Sequence, residues 1–491
     1  MRAKSIHRMM RWLQELSSVS DDHLYGIVVV ERIHYLEEEE NCKRSLIAIH
    51  AGHSPLRRSG VTGCKGPRER VCVMEKKKKR MVGIWDVKHM FESSLIIFFI
   101  IGALATTAVY YVNSDHEQQR SPPPPQVVNK AAIDYDSLDG CDLFSGKWVH
   151  DNNSYPLYQE LQCPYIPGEF ACGQHGRIDS NYLQWRWQPH ACNIPRFDAR
   201  EVLERLRGKR VIFVGDSVNR NQWISMVCML QTVIPTGQKK MQKVVDVSLF
   251  TFKAFEYDVS IDFYWAPLLV ESNADHPSKH KRNERVIHVQ SIENHAKNWV
   301  NADVLVFNSY LWWGTPTMKI LYGSIEDSKR SNIVSNHRGY RMVLKIWSKW
   351  LRIHINHTRT QSYFMTMTAT HQRGVDWGKE GSANCLNETE PVMKDGFWES
   401  GSDLKMMRIL ESSLNKLKQK GVNVHMMNIT QLTQYRKDAH PSIHRLFYST
   451  LKAKQLSNPS CYADCTHWCL PGVPDTWNEL LLTYILRGNR S

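Results

Sequence analysis

The stretch that decides the fold is residues 211–230, VIFVGDSVNRNQWISMVCML. Its first four residues are apolar and predict a short buried strand, and residues 218–230 predict a helix. A glycine turn and a serine at the helix start, Gly215 and Ser217, join the two directly. We therefore expect an α/β fold with a central parallel sheet flanked by helices.

Segments further along the chain repeat this alternation. Residues 304–307 and 362–367 predict two more strands. A later helix is predicted with Gly421 at its end, and residues 422–426 then restart a strand. The apolar face of this helix consists of Leu404, Met407, Leu410, Leu414 and Leu417. Alternating strands and helices favour parallel pairing.

The region that begins at residue 141 has a different character. It is rich in turns and in aromatic residues, namely Trp148, Tyr155, Tyr158, Tyr165, Trp185 and Trp187. This composition favours a smaller irregular lobe over a helix bundle. We expect the lobe to be stapled by disulfides and to form a cleft with the α/β sheet.

An apolar run near the N-terminus predicts membrane attachment. Residues 95–112 are 18 uncharged residues that follow a basic cluster at 76–80, which predicts a type II signal anchor. The predicted order is a basic cytoplasmic tail (1–94, disordered or a gene-model extension), the anchor (95–112), a Pro-rich stem (113–139) and a lumenal domain (140–491). A cleaved signal peptide is the alternative.

Charge does not indicate a nucleic-acid partner. The net charge is +14, but residues 1–90 hold 18 Lys and Arg against 11 Asp and Glu, which accounts for +7. The remaining +7 is spread over about 400 residues and is a weak argument for binding any polyanion.

Cysteines and glycosylation motifs are consistent with a lumenal location. Eight cysteines are disulfide candidates with the pairing left open, and a ninth, Cys461, is expected to be free. The eight are Cys141, Cys163, Cys172, Cys192, Cys228, Cys385, Cys465 and Cys469. The glycosylation candidates are Asn152, Asn356, Asn387 and Asn428.

Ser217 is the first candidate for chemistry. A serine that starts a helix after a strand and a glycine turn places its hydroxyl over backbone amides at the positive end of the helix. This is the geometry of an acyl-enzyme nucleophile. The alternative is that Ser217 only caps the helix. Candidates for oxyanion or substrate contacts in the same motif are Gly215, Asp216, Arg220 and Asn221.

A base for such a nucleophile is predicted near the C-terminus, in residues 464–469, DCTHWC. Asp464, three residues before His467, can orient the imidazole and stabilise its charged form. Cys465 and Cys469 would tether the loop. Two alternatives remain open: a zinc site that uses Cys461, Cys465, His467 and Cys469, and a purely structural His467.

Further candidates follow the predicted strand at 304–307. The Asn308 amide can donate to an oxyanion, while Trp312 and Trp313 can stack on sugar rings or pack in the core. His371 and His440 are titratable candidates, each more often structural than catalytic.

Several motifs together resemble the plant trichome birefringence-like family. They are CDLFSGKWV (141–149), WRWQP (185–189), LRGKR (206–210), GDSVNRNQW (215–223), YRKDAHP (435–441) and DCTHWCLPGVPDTWN (464–478). Members of this family look like SGNH-type esterases that have become polysaccharide O-acetyltransferases. The resemblance covers about 350 residues.

The resemblance implies an SGNH-like fold and a Golgi enzyme. Ser217 is then the nucleophile, His467 the general base and Asp464 its orienting partner. Acetyl-CoA or another acetyl carrier is the donor co-substrate, with no bound cofactor and no metal. Residues 306–313, VFNSYLWW, are similar to members that act on xylan, so the expected acceptor is O-2 or O-3 of xylosyl residues. Two alternatives are a wall-polysaccharide acetyl- or methylesterase and a non-catalytic polysaccharide-binding protein.

Overall fold

The structure is a computed structural model that describes residues 138, 140–244, 248–276, 284–322, 331–380 and 383–487. All of them belong to one compact unit, residues 127–491. The predicted tail and anchor, and the predicted stem apart from residue 138, lie outside the described residues. Within the described ranges, no helix combines the length and apolar character needed to span a bilayer.

The described part of the chain contains twelve strands and eight α-helices. The strands are β1 (Gly146–His150), β2 (Trp185–Pro189), β3 (Arg210–Gly215), β4 (Lys239–Val244), β5 (Leu249–Ala254), β6 (Val259–Trp265), β7 (Val286–His288), β8 (Val304–Asn308), β9 (Thr317–Leu321), β10 (Ser331–Ser335), β11 (Gln361–Met365) and β12 (His425–Met427). The helices are α1 (Ala199–Arg205), α2 (Ser217–Gln231), α3 (Glu293–Ala296), α4 (Asn336–His354), α5 (Leu404–Lys418), α6 (Thr430–Gln434), α7 (Ala453–Leu456) and α8 (Val473–Leu486).

Seven strands form the central sheet, in the order β12-β11-β8-β3-β6-β5-β4. Pairing is parallel from β12 to β6, and antiparallel from β6 through β5 to β4. The predicted α/β class with flanking helices is therefore confirmed, and the sheet is mixed because an antiparallel hairpin extends one side. That hairpin went unpredicted because β4 is a mostly polar, exposed edge strand with little hydrophobic signal.

Strand β3 shows why the fold-deciding stretch is continuously apolar. Val211 and Phe213 pack into one hydrophobic core, and Ile212 and Val214 pack into a second core on the opposite face. A parallel strand covered on both faces needs apolar side chains in both directions. The first core includes α2 and α8, and the second includes α4 and α5.

The predicted helices are present, and the adjacent strands begin or end a few residues away from the predicted bounds. In α5, Leu410, Leu414 and Leu417 face the core, but Leu404 is 47% exposed. Gly421, with a φ of +79°, ends this helical segment as predicted. The strand predicted at 422–426 is β12, which begins at His425, and the one predicted at 362–367 is β11, which ends at Met365.

The region before β3 is largely irregular, as predicted. Its β1–β2 pair is an antiparallel two-stranded sheet. Four disulfides contain all eight candidate cysteines, and Cys461 is free and exposed. The pairs are Cys141–Cys192, Cys163–Cys228, Cys172–Cys469 and Cys385–Cys465. Three of them therefore connect the irregular lobe to itself, to α2 and to the C-terminal region.

Candidate active site

The turn between β3 and α2 places Ser217 at the carboxyl edge of the sheet. Asp216 caps α2, because its Oδ1 accepts the Val218 N–H at 3.0 Å. Gly215 is required here, since a Cβ at this position would lie 2.4 Å from the Asn308 carbonyl oxygen. Of the fifteen residues of α2, only Ser217 and Arg220 are not buried.

Ser217, His467 and Asp464 form one hydrogen-bonded chain. The Ser217 Oγ lies 2.7 Å from His467 Nε2. His467 Nδ1 lies 2.8 Å from Asp464 Oδ2. The structure therefore brings the nucleophile to a base that lies 250 residues further along the chain, next to its orienting carboxylate.

Asp464 is buried and strongly held in its ionised form. Its Oδ1 accepts the backbone N–H groups of Thr466 and His467, each at 3.0 Å, and Arg445 forms an ion pair with its Oδ2. Burial alone would raise the pKa of Asp464, but the charges of His467 and Arg445 and the hydrogen bonds from His467 hold this pKa well below its usual range. A permanent negative charge thus faces the His467 ring.

The loop that carries His467 is tethered on both sides. Cys465 pairs with Cys385, and Cys469 pairs with Cys172, so the predicted tethering of the loop by disulfides is confirmed. These bonds use two of the four thiol and imidazole ligands of the alternative zinc site, which the structure therefore does not form. No group of residues suited to hold a metal occurs among the described residues.

Asn221 provides a further tether that the sequence did not predict. Its Oδ1 accepts the Trp468 N–H at 2.8 Å, and its Nδ2 donates to the Trp468 carbonyl at 3.1 Å. Asn221 is fully buried, and both ends of its amide are occupied. This corrects its assignment as an oxyanion or substrate contact: Asn221 holds the backbone next to His467.

His440 contacts the loop that carries His467, and His371 contacts His440. Both are buried. His440 Nδ1 lies 2.7 Å from the His467 carbonyl oxygen, and His440 Nε2 lies 2.7 Å from His371 Nδ1. Burial lowers the pKa of His371 to about 4 and holds that of His440 well below its usual value. His371 therefore does not reach substrate, which corrects its place among the substrate contacts.

Asn308 lies at the end of β8, next to the turn that carries Ser217. It lines a small cleft with Asp216, Val218 and Thr368. Its Nδ2 donates to the Thr366 carbonyl only at 3.5 Å, which is a long contact. One face of this small cleft therefore carries an amide suited to stabilising an oxyanion.

Asp216 has a partly satisfied carboxyl group in the same cleft. Its Oδ2 is buried without a geometrically acceptable hydrogen-bond partner among the described residues. Burial raises the pKa of Asp216 to about 6. The structure thus assigns Asp216 first to capping α2 and second to the wall of the cleft.

The two tryptophans after Asn308 lie in different environments, and only Trp312 is partly exposed. Trp313 is fully buried and donates from Nε1 to Ser309 Oγ at 2.9 Å. Trp312 packs edge-on against Trp265, and the Arg285 guanidinium lies 4.4 Å from the Trp312 ring centroid. Core packing, the alternative reading of these residues, describes Trp313.

Two residues near the triad were missed by sequence reasoning. Arg445 pairs with Asp464, and Glu169 pairs with Arg220 on α2. Neither residue belongs to a catalytic motif in sequence, and Glu169 lies 51 residues from its partner. Their position follows only from the tertiary fold.

The glycosylation candidates differ in accessibility. Asn152, Asn356 and Asn387 are exposed. Asn428 is only partly exposed, and Thr430 of its motif is fully buried with its hydroxyl bonded to the Met367 carbonyl at 2.7 Å. The folded chain thus presents three of the four motifs openly.

Comparison with known proteins gives matches along nearly all of the described chain. Residues 194–484 match the PC-Esterase family, a GDSL/SGNH-like acyl-esterase family found in Pmr5 and Cas1p, and residues 139–193 match the PMR5 N-terminal domain. The mixed α/β sheet is thus the SGNH-like fold that the resemblance implied.

Curated plant proteins are similar over the same region. Protein trichome birefringence-like 34 of Arabidopsis thaliana is 51% identical over 354 residues, which cover 72% of this chain and 86% of the relative. Xylan O-acetyltransferases 12 and 14 of Oryza sativa subsp. japonica are 49% and 45% identical, covering 72% and 70% of this chain and 70% and 77% of the relatives. The chain therefore belongs to the trichome birefringence-like family of GDSL/SGNH-like acyl-esterase proteins.

Proposed function

We propose that this enzyme transfers acetyl groups from a donor to O-2 or O-3 of xylosyl residues in xylan, through an acetyl-Ser217 intermediate. The observation that carries the proposal is the continuous chain from Ser217 Oγ to His467 Nε2 (2.7 Å) and from His467 Nδ1 to Asp464 (2.8 Å). The acceptor is inferred from relatives whose names are xylan O-acetyltransferases.

In the first half-reaction, Ser217 Oγ attacks the carbonyl carbon of the donor acetyl group. His467 Nε2 takes the hydroxyl proton and then returns it to the departing donor group, so that proton and charge balance. Asp464 stays ionised and stabilises the imidazolium that forms in between. The product is acetyl-Ser217 and the deacetylated donor.

In the second half-reaction, a sugar hydroxyl replaces the donor. His467 Nε2 removes the proton of this hydroxyl as its oxygen attacks the acetyl-Ser217 carbonyl, and the proton passes to Ser217 Oγ when the ester bond breaks. In this proposal, the Asn308 amide stabilises the oxyanion in both steps, supported by the positive end of α2.

Three further features belong to the proposal. The donor is acetyl-CoA or another acetyl carrier, used as a co-substrate. The enzyme works in the Golgi lumen, held by a single type II anchor at residues 95–112. The acceptor is xylan or a related hemicellulose. These features rest on the sequence pattern and the resemblance to the family.

An esterase is the second candidate, favoured by the acyl-esterase description of the matched family. Water and a sugar hydroxyl compete for the same acyl-enzyme, so one triad serves both reactions. The two functions differ in which acceptor reaches acetyl-Ser217.

The deciding experiment incubates the full-length protein with an acetyl donor and unacetylated xylo-oligosaccharides, with the Ser217→Ala variant in parallel, and identifies products by mass and NMR. Acetylated oligosaccharide made only by the wild type is the expected result, and NMR shows which hydroxyl is modified. Release of acetate from acetylated xylan, without any transfer, would show that the protein is an esterase and not a transferase.

A further inference from the structure

We propose that Tyr448 forms an acceptor subsite, in which its ring stacks on a xylosyl ring beside the Ser217–His467 pair. This inference rests on the proposed function, because it takes xylan to be the acceptor. Tyr448 offers an exposed aromatic surface, which the fully buried Trp313 does not.

Tyr448 is connected to the helix that carries the nucleophile. Its Oη donates to Glu169 Oε2 at 2.5 Å, and the other carboxylate oxygen of Glu169 pairs with Arg220. Arg220 lies one turn after Ser217, and these two are the residues of α2 that are not buried. The phenol is therefore fixed on the side of α2 that exposes the nucleophile.

A second set of contacts joins the Tyr448 loop to the base. The Leu446 N–H donates to the Gly168 carbonyl at 2.9 Å, and Arg445 pairs with Asp464. Phe170, two residues after Gly168, has its ring centroid 5.5 Å from that of His467. The loop that presents Tyr448 is thus attached to the immediate neighbours of the triad.

The Tyr448 ring remains open although its hydroxyl is held. Tyr448 is 77% exposed. The next most exposed aromatic side chains among the described residues are Phe255 at 47% and Trp398 at 44%. Holding a side chain in one position while its apolar ring stays in water costs conformational entropy without the gain of burial. A ligand that covers the ring supplies that gain.

A xylosyl ring matches this surface chemically. Its hydroxyls are equatorial and it carries no hydroxymethyl group, so each face is a flat set of C–H groups that packs on an aromatic ring. The side chains of Arg220 and Arg445 are 28% and 25% exposed. Each guanidinium has more N–H donors than its one carboxylate partner uses, which leaves donors for sugar hydroxyls.

The charge around Tyr448 favours a neutral sugar over the other aromatic-binding candidate, the nucleotide of a coenzyme A donor. Arg220 is paired with Glu169, and Arg445 is paired with Asp464. Each of these two positive charges is therefore matched by one negative charge, which weakens their attraction for phosphate groups.

The test measures binding of unacetylated xylohexaose to full-length protein that carries Ser217→Ala, so that no turnover is needed. Adding Tyr448→Ala is expected to raise Kd by about three- to tenfold, in line with the loss of one aromatic stacking contact. Tyr448→Phe, which keeps the ring, is expected to stay within about twofold of the parent. Phe255→Ala is the matched control, because Phe255 follows β5 at the amino end of β6, away from the carboxyl edge that holds Ser217.

Each result decides between the hypotheses. An unchanged Kd in Tyr448→Ala, or equal weakening in Tyr448→Ala and Tyr448→Phe, overturns the stacking subsite, and so does xylohexaose that binds nowhere on the parent. In turnover of the active enzyme, a rise in the donor KM alone would assign the ring to the donor. If wild type acetylates no xylo-oligosaccharide but Tyr448→Ala still weakens xylohexaose binding, the proposed reaction fails while the subsite stands.

Discussion

His371 Nδ1 lies 2.7 Å from His440 Nε2, and the outer nitrogen of each ring faces a backbone carbonyl, that of Gln434 for His371 and that of His467 for His440. Three hydrogen bonds along this line need three protons, but two neutral imidazoles carry only two. Since burial lowers both pKa values, the neutral pair leaves one contact without a proton.

His371→Gln is expected to remove this conflict. The Gln side chain can still donate to the Gln434 carbonyl, and neutral His440 is then free to donate from Nδ1 to the His467 carbonyl. A histidine whose folded pKa is lowered to about 4 binds fewer protons than in the unfolded chain, so stability rises with pH between about 4 and 6.5. We expect His371→Gln to flatten this rise, measured as Tm against pH, with kcat largely retained.

His440→Leu serves as the contrasting variant, because it removes the ring nitrogen that faces the His467 carbonyl. It is expected to lower kcat as well as Tm. If Tm depended on pH equally in wild type and in His371→Gln, His371 would not have a lowered pKa, and the neutral pair assumed here would be wrong.

Asp464→Asn is expected to reduce kcat by about 10³- to 10⁴-fold with little change in acceptor KM. The amide cannot stabilise the His467 imidazolium and favours the wrong tautomer of the ring. Steady-state kinetics with a donor and xylo-oligosaccharide provides the measurement. A loss of less than about tenfold would show that Asp464 does not act through His467.

Asn308 and Asn221 provide a matched pair of substitutions. Asn308→Ala removes a cleft amide whose contact with Thr366 is long, so kcat should fall about 10²- to 10³-fold with a small change in Tm. Asn221→Ala leaves the buried N–H and carbonyl of Trp468 without their partner and should cost about 1–3 kcal/mol of unfolding free energy for each group.

Thermal unfolding and kcat measured together separate these two roles. If Asn308→Ala lowered Tm as much as Asn221→Ala, Asn308 would be a structural residue and the oxyanion assignment would fail.

The contrast between these two asparagines shows what the sequence can predict here. Ser217 was recognisable because an apolar strand, a glycine and a helix start are contiguous, and Asp464 and His467 because their spacing is local. Asn221 looks like Asn308 in sequence, and its role depends on Trp468, 247 residues away.

The burial of α2 on nearly all sides also obscured its hydrophobic pattern. Thirteen of the fifteen residues of α2 are buried, so α2 lacks the polar face that reveals which residues reach the surface. The disulfide pairing was likewise undetermined, since Cys172 and Cys469 are 297 residues apart. These features are set by tertiary packing.

The last prediction concerns two buried carboxyl groups in α8, which directly follows the catalytic loop. Glu479 accepts from Tyr155 Oη at 2.7 Å, and Asp475 accepts from Tyr158 Oη at 3.0 Å, so two tyrosines of the irregular lobe bind this helix. Burial raises the pKa of Glu479 to about 8 and that of Asp475 to about 7. The folded state therefore holds protons that the unfolded chain has released, and stability falls as pH rises from about 4.5 to 8.

Glu479→Gln keeps the shape and the acceptor for Tyr155 but does not ionise. We expect it to match wild type at pH 5 and to exceed it at pH 8 by on the order of 2 kcal/mol, or ~4–8 °C in Tm. Glu411→Gln, at an exposed position of α5, is the control and should change neither value. If Glu479→Gln lowered Tm equally at both pH values, Glu479 would be ionised in the folded protein. The contact between Tyr155 and α8 would then depend on the negative charge of Glu479.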